Sequence, residues 1–259
     1  MATTNSLQRW IRTLRRRAKT YVGARPRLFF PLFRLRPTFQ DLLVTRSTDL
    51  CVEGFPRSAN SFAVGAFEYA QNKELSIAHH NHVPAPILNA VRWGLPTVVL
   101  IRDPVETIIS NRGLQLQIGA VEGRDMSQRV SYDTQLRTWM QFYRRIAPVR
   151  DEVVVASFEV VTEDFGTVID AVNERFGTAF ARFEHTEEAI EDLRESYGYH
   201  ALPTAERDRL KNKARRAFES DVGEEADLVQ EARGLFRRYR AAGTISKGVL
   251  LDQHRRASQ

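Results

Sequence analysis

A single cysteine, Cys51, occurs in 259 residues, so no intrachain disulfide is possible. It lies in the apolar run Leu50-Cys51-Val52 with no cation close by, and reads as a buried structural thiol suited to a reducing, cytoplasmic setting. No stretch approaches the roughly 18 consecutive apolar residues of a membrane-spanning helix, and no secretory apolar core is visible near the start. Internal repeats, low-complexity tracts and a dividing linker are missing too, so the 42% hydrophobic content is expected to serve one large domain. The most uneven shortage is of acid. Residues 1–40 hold ten Lys or Arg and no Asp or Glu, which leaves a net −4 for the remainder of a chain whose total is +6.

Within that arm Leu7, Trp10, Ile11, Leu14 and Ala18 recur at helical spacing, with Arg9, Arg12, Arg15, Arg16, Arg17 and Lys19 on much of the remaining wheel. A basic amphipathic helix of this kind suits an anionic membrane surface, and Arg27-Leu28-Phe29-Phe30-Pro31-Leu32-Phe33 offers apolar side chains for insertion. Docking on the domain, a transit peptide and nucleic-acid binding compete with that reading. The expected organisation is an arm over 1–40, a domain over 41–243 and a tail over 244–259, with a peripheral membrane association and no nucleic acid.

Beyond the arm, strands alternate with helices. Asp49–Phe55, Pro96–Ile101 and Val153–Phe158 read as strands, and the continuous apolar character of Val98-Val99-Leu100-Ile101 suits a parallel strand covered on both faces. Asn60–Gln71 reads as a helix, and a further one is expected to start at Asp103-Pro104, with Asp as cap and Pro in the first turn. Leu136, Trp139, Met140, Tyr143, Ile146 and Ala147 keep helical spacing. So do Val168, Ile169, Val172 and Phe176, ending at Gly177, and, after Arg207–Phe218, Leu228, Ala232, Leu235, Phe236 and Tyr239. Residues 113–130, with Leu114, Leu116 and Ile118 beside glycines, read as a loop or lid. The alternation predicts a three-layer α/β/α domain with a mainly parallel sheet and a ligand site at the carboxyl ends of its strands.

Gly54-Phe55-Pro56-Arg57-Ser58-Ala59-Asn60-Ser61-Phe62 falls at one such end. In a strand-loop-helix turn the amides near Ser58–Ser61 face the concavity, the helix dipole adds positive potential, Ser58 and Ser61 supply hydroxyls, and Arg57 supplies a fork for two anionic oxygens. The triphosphate-binding pattern G-x-x-x-x-G-K-[ST] is not met, since its second glycine and its lysine are missing. Arg102-Asp103-Pro104, with Ser110 eight residues after Arg102, falls at a second strand end. Between the two lies His79-His80-Asn81-His82-Val83-Pro84, where no acid or Cys stands at metal-ligand spacing, so no metal is expected.

These segments resemble the PAPS-dependent sulfotransferases (PAPS is 3′-phosphoadenosine 5′-phosphosulfate), whose domain is a P-loop nucleotide-hydrolase-like α/β/α fold. Arg57, Ser58, Ala59, Asn60, Ser61 and Phe62 match the loop that binds the 5′-phosphosulfate. Ala59 stands where that loop usually has glycine, and Arg57 where it often has lysine. The resemblance implies that Arg102 and Ser110 hold the 3′-phosphate, that His82, in a His-apolar-Pro pattern, is the base with His80 in reserve, and that Phe158 replaces a tyrosine near adenine. The family's late basic-Gly segment has only Ser246-Lys247-Gly248 as a counterpart, so Arg207 or Lys211 is expected to substitute. The implied reaction moves a sulfuryl group from PAPS to a hydroxyl or amine of a lipid, glycolipid or saccharide, without a metal. Two alternatives stay open: an ATP/Mg-dependent kinase using Asp103 as magnesium holder, and a non-catalytic, membrane-recruited binding module.

Overall fold

Four short apolar runs pair in parallel to form the centre of the chain, which the computed structural model describes over residues 14–15, 17–121, 130–197, 205–241 and 245. The strands are β1 (Leu50–Gly54), β2 (Ile77–His79), β3 (Thr97–Ile101) and β4 (Val154–Ser157), in the order β2-β1-β3-β4. Every residue of β1, β3 and β4 is buried, as strands covered on both faces require. Alternation sorts them: Val99, Ile101, Val153 and Val155 enter one core, while Val98, Leu100, Val154 and Ala156 enter the other.

The first core is roofed by α4 (Pro104–Val121), α5 (Tyr132–Ile146), α9 (Ala205–Asp221) and α10 (Asp227–Ala241). The second is closed by α2 (Asn60–Ala70), α6 (Phe158–Glu163), α7 (Phe165–Phe176) and α8 (Glu187–Tyr197). The stripe on α5 is buried as its spacing predicts, with Leu136, Trp139 and Tyr143 fully enclosed. A third, smaller cluster joins α1 (Pro26–Phe33) and α3 (Pro84–Arg92) to Cys51, Ala78 and Val44.

The expected α/β/α architecture with a parallel sheet is what the chain adopts, and four features differ in detail. The sheet has four strands rather than three, because Ile77–His79 is too short and too polar to stand out in the sequence. Residues 113–121 are helix rather than loop, since α4 runs unbroken to Val121; its buried Gly113 lets α9 approach, and a Cβ there would lie 3.1 Å from Lys211 Cγ. Residues 122–129, the rest of that segment, lie outside the described residues. Phe29 and Phe30 are not available for membrane insertion, being buried against Cys51, Ala78 and Ala85. Ile245, at the head of the expected tail, pairs with β4 by Ile245 N–H to Val155 O (2.9 Å) and Ser157 N–H to Ile245 O (3.1 Å). Leu7, Trp10, Ile11 and the Ser246-Lys247-Gly248 segment lie outside the described residues. Residues 17–23 are helical. No described helix is long and apolar enough to cross a membrane.

Candidate active site

The chain leaves β1, builds β2 on one side, then crosses to build β3 on the other, so the carboxyl ends of β1 and β3 form a switch point. Open α/β sheets bind ligands in that crevice. Both sequence motifs empty into it. Residues 55–59 turn from β1 into α2, while Arg102 follows β3 directly. The motifs touch: Arg57 Nε donates to Ser110 Oγ (3.2 Å), and Arg102 Nη1 donates to the Arg57 carbonyl (3.1 Å). Ser110 is buried, and its observed partner is Arg57 rather than the carbonyl one turn back on its own helix.

Arg57, Asn60, Ser61, Phe62, Arg102 and Ser110 all line one cleft of about 670 Å³. Ala59 lines it as well, with φ of 70° and ψ of 27°; the left-handed conformation that glycine usually supplies is imposed here on an alanine, at a cost of about 1–2 kcal/mol. No side chain caps α2, so its first-turn amides have no side-chain capping partner. Ser58, expected beside Ser61, is not among the residues lining the cleft: its side chain is fully buried, and its amide donates to Phe55 O (3.2 Å). The Tyr143 phenol, its neighbour there, spends its proton on Leu100 O (2.7 Å) and accepts from Phe55 N–H at 3.4 Å, tying the end of β3 to the start of the loop. Asn60 serves the same end with its amide, donating to Phe55 O (3.1 Å).

Cations crowd the cleft. Arg207 and Lys211 reach it from α9, on the face packed against α4. Arg207 is buried and its Nε donates to Gln117 Oε1 (3.2 Å). Burial, then the charges of Arg207 and Arg102, pull the Arg57 pKa down to about 10, and burial lowers those of Arg102 and Lys211. Like charges gathered and desolvated in this way favour an anion beside them. The Arg102 guanidinium lies 3.8 Å from the centroid of the Phe158 ring, which is itself part of the cleft wall.

Asp103 does not line the cleft, and its Oδ2 lies 3.9 Å from Arg233 Nε. Its Oδ1 accepts from the amides of Val105 (2.9 Å) and Glu106 (3.0 Å), the cap expected for α4. Among the described residues, no group of three or more His, Cys, Asp or Glu is arranged to hold a metal.

The histidine segment follows β2 and is fixed from beneath by Glu53, a fully buried carboxylate in β1. Glu53 Oε1 accepts from Asn81 N–H (2.8 Å) and Asn81 Nδ2 (3.0 Å), and Oε2 accepts from His82 N–H (3.0 Å). His80 (φ 58°) and His82 (φ 54°) are thereby held left-handed; with Arg57 (φ 74°) and Ala59 they are all the described non-glycine residues of positive φ, and all four line the cleft. Backbone strain concentrated in this way marks functional ground. Both nitrogens of His80 are engaged, Nε2 with Ser61 Oγ (3.0 Å) and Nδ1 with His79 Nδ1. His82 Nδ1 lies 2.9 Å from Gly54 O; a carbonyl only accepts, so Nδ1 carries the hydrogen and Nε2 keeps the lone pair. Burial, the first cause, holds the His82 pKa down to about 4, so the ring is neutral at pH 7.

Glu53 was not singled out from sequence, although an acid inside an apolar strand was the signal available. Burial raises its pKa to about 7 against the pull of four N–H groups, those of the Asn81 side chain and of the Asn81, His82 and Gly54 backbone. A carboxyl raised from 4.5 to about 7 contributes stability that is complete below 4.5 and is lost as pH rises through 7. The histidines act oppositely, but they are common to the wild type and Glu53→Gln. The stability difference, variant minus wild type, is therefore expected to increase from pH 4.5 to 7.5 by on the order of 3 kcal/mol in urea titrations. A pH-independent difference would show that Glu53 does not titrate there.

No protein-family model and no curated protein matches the chain. Among solved structures, one of mouse sulfotransferase SULT7A1 complexed with PAP is similar at 10% identity and a TM-score of 0.41, covering 79% of this chain and 93% of that one. Those values are too low to transfer residue assignments.

Proposed function

We propose that the chain is a PAPS-dependent sulfotransferase. The observation that carries this reading is the convergence of Arg57, Arg102, Arg207 and Lys211, with the Ser61 and Ser110 hydroxyls and the uncapped start of α2, on one cleft beside a neutral histidine. A nucleotide bearing charge at two separated positions uses such a spread of cations; a single phosphate does not. Arg57, Ser61 and the first-turn amides hold the 5′-phosphosulfate, and Arg102 and Ser110 hold the 3′-phosphate with Arg207 or Lys211. Phe158 borders the base.

In the reaction the acceptor oxygen bonds to sulfur as the bond from sulfur to the bridging oxygen breaks, and that electron pair stays on the departing phosphate. The acceptor proton goes to His82 Nε2. Arg57 cannot surrender a proton, so its part is to neutralise charge growing on the bridging oxygen. In-line placement and charge stabilisation supply the rate, with no covalent intermediate. His82 is preferred over His80 because its Nε2 is uncommitted. Negative phosphates in the cleft raise the His82 pKa from its value near 4 towards neutrality, where a general base works best.

Among the described residues, five of the eight exposed large hydrophobics, Leu14, Tyr21, Leu28, Leu32 and Leu35, lie in the basic arm. That distribution favours a peripheral contact with an anionic membrane surface on the cytoplasmic side. Against the kinase alternative stands the use of Asp103 Oδ1 as the α4 cap, with Oδ2 3.9 Å from Arg233 Nε.

Thermal unfolding with adenosine 3′,5′-bisphosphate, ATP and ATP plus Mg²⁺ tests the assignment. Stabilisation by the bisphosphate without metal is expected, about 2.7 kcal/mol at a hundredfold excess over Kd. A response to ATP that requires Mg²⁺ supports the kinase instead, and silence to all three together with vesicle binding supports the binding module.

A further inference from the structure

A second cavity, of about 1040 Å³, adjoins the nucleotide cleft. Among the described residues only Pro56, His82 and Asn111 line both, so the proposed base stands at the junction of the two chambers. The floor of the second chamber is apolar, made by Phe55, Val83, Pro84 and Phe142. Its walls are basic: Arg15, Arg17, Lys19 and Arg25 come from the arm, and Arg144 and Arg145 from α5. No Asp or Glu lines it among the described residues.

The arm is a built wall here. Gly23 lies so close to α3 that a Cβ would sit 2.5 Å from Val83 Cγ1, Arg145 Nε donates to Ala24 O (2.9 Å), and Phe29 and Phe30 anchor the helix that follows. Lys19 is near enough to His82 to lower its pKa. Part of the basic charge is answered within the chain, since Arg144 pairs with Glu231 and Arg25 rests on the Tyr21 ring at 3.5 Å. The chamber nonetheless carries one sign of charge around an apolar base.

We propose that the acceptor is an anionic amphiphile: a molecule whose hydroxyl reaches His82, whose apolar body lies on Phe55, Val83 and Phe142, and whose acidic group is held by the arm and α5. This rests on the sulfotransferase reading for the hydroxyl's fate, but the charge selection belongs to the cavity itself. A neutral alcohol of the same shape gains nothing from the single sign of charge around the chamber, which is the basis of discrimination.

The test uses the full chain saturated with adenosine 3′,5′-bisphosphate. Binding of ω-hydroxydodecanoate is compared with that of its methyl ester, and vesicles of phosphatidylglycerol with vesicles of phosphatidylcholine, on wild type and on Arg17→Gln/Lys19→Gln. The acid is expected to bind at least about tenfold more tightly than the ester, with the ratio falling towards one in the double variant while the bisphosphate thermal shift persists. Preference for the free acid identifies a soluble acceptor. Preference for phosphatidylglycerol alone, again lost in the double variant, identifies a membrane lipid; both support the proposal. Equal binding of acid and ester together with equal binding of both vesicle types overturns it, as does a preference that survives the double substitution. Loss of the bisphosphate shift in wild type removes the sulfotransferase reading instead, and the acid-to-ester ratio still reports on the chamber.

Discussion

His82→Ala is expected to lower kcat by about 10² to 10⁴, the usual worth of a general base, while the thermal shift given by adenosine 3′,5′-bisphosphate stays at its wild-type size. The two readouts separate under the proposed function, which assigns His82, at the junction of the two cavities, to the acceptor and Arg57 and Arg102 to the nucleotide's charges. The tautomer fixed by Gly54 O makes Nε2 the acceptor of the proton. Wild-type kcat/KM for PAPS is expected to fall as pH drops through the free-enzyme His82 value near 4, and kcat to fall at the higher pH set by the bound phosphates, because protonation of Nε2 removes the lone pair. Labelled-sulfate transfer from PAPS, measured across pH, checks both points. If His82→Ala turns over within a few-fold of wild type while His80→Ala carries the loss, the roles of the two histidines are reversed.

Arg57→Ala is expected to cost about 10² to 10³ in kcat/KM, the range for removing one preorganised donor from a site of charge development. The apo protein should not lose stability in proportion. Arg57 is desolvated beside two further guanidinium groups, so its removal relieves repulsion while giving up one hydrogen bond to Ser110. Arg57→Lys keeps the charge and loses the fork that reaches Ser110 Oγ; partial rescue of rate is expected. An activity loss that simply tracks a fall in apo melting temperature would make Arg57 a structural residue of the loop, and the electrostatic role would be withdrawn.

The residues that form the cleft were legible unequally. Arg57, Ser61, Arg102 and Ser110 stood out because a cation and hydroxyls at the joint between an apolar strand and a helix have little structural use. Ser58 looked equivalent to Ser61, yet one turns inward and the other outward. Two residues of the loop, Arg57 and Ala59, take positive φ, and that rotation is invisible in residue type. Tyr143 was read as one member of a core stripe, and it is; its hydroxyl also holds the loop, a contact across 88 residues that no local pattern records. Glu53 was passed over inside a run of apolar neighbours, although its carboxylate fixes the backbone of both Asn81 and His82. The glycines of α4 suggested a loop by composition, and only the approach of α9 explains Gly113 within a helix.

By itself the sequence determined the alternation of strand and helix, the parallel character of the sheet and the two anion-seeking strand ends. These depend on side-chain periods of about 2 and 3.6 residues and on turn chemistry, all encoded within a few neighbours. Tertiary structure alone decided that Arg207 and Lys211 share a cleft with Arg57, that His82 is neutral with Nε2 available, and that the basic arm walls a second chamber. Helix docking brings together charges far apart in the chain, and burial then sets their protonation, since desolvation depends on every element that excludes water from the group.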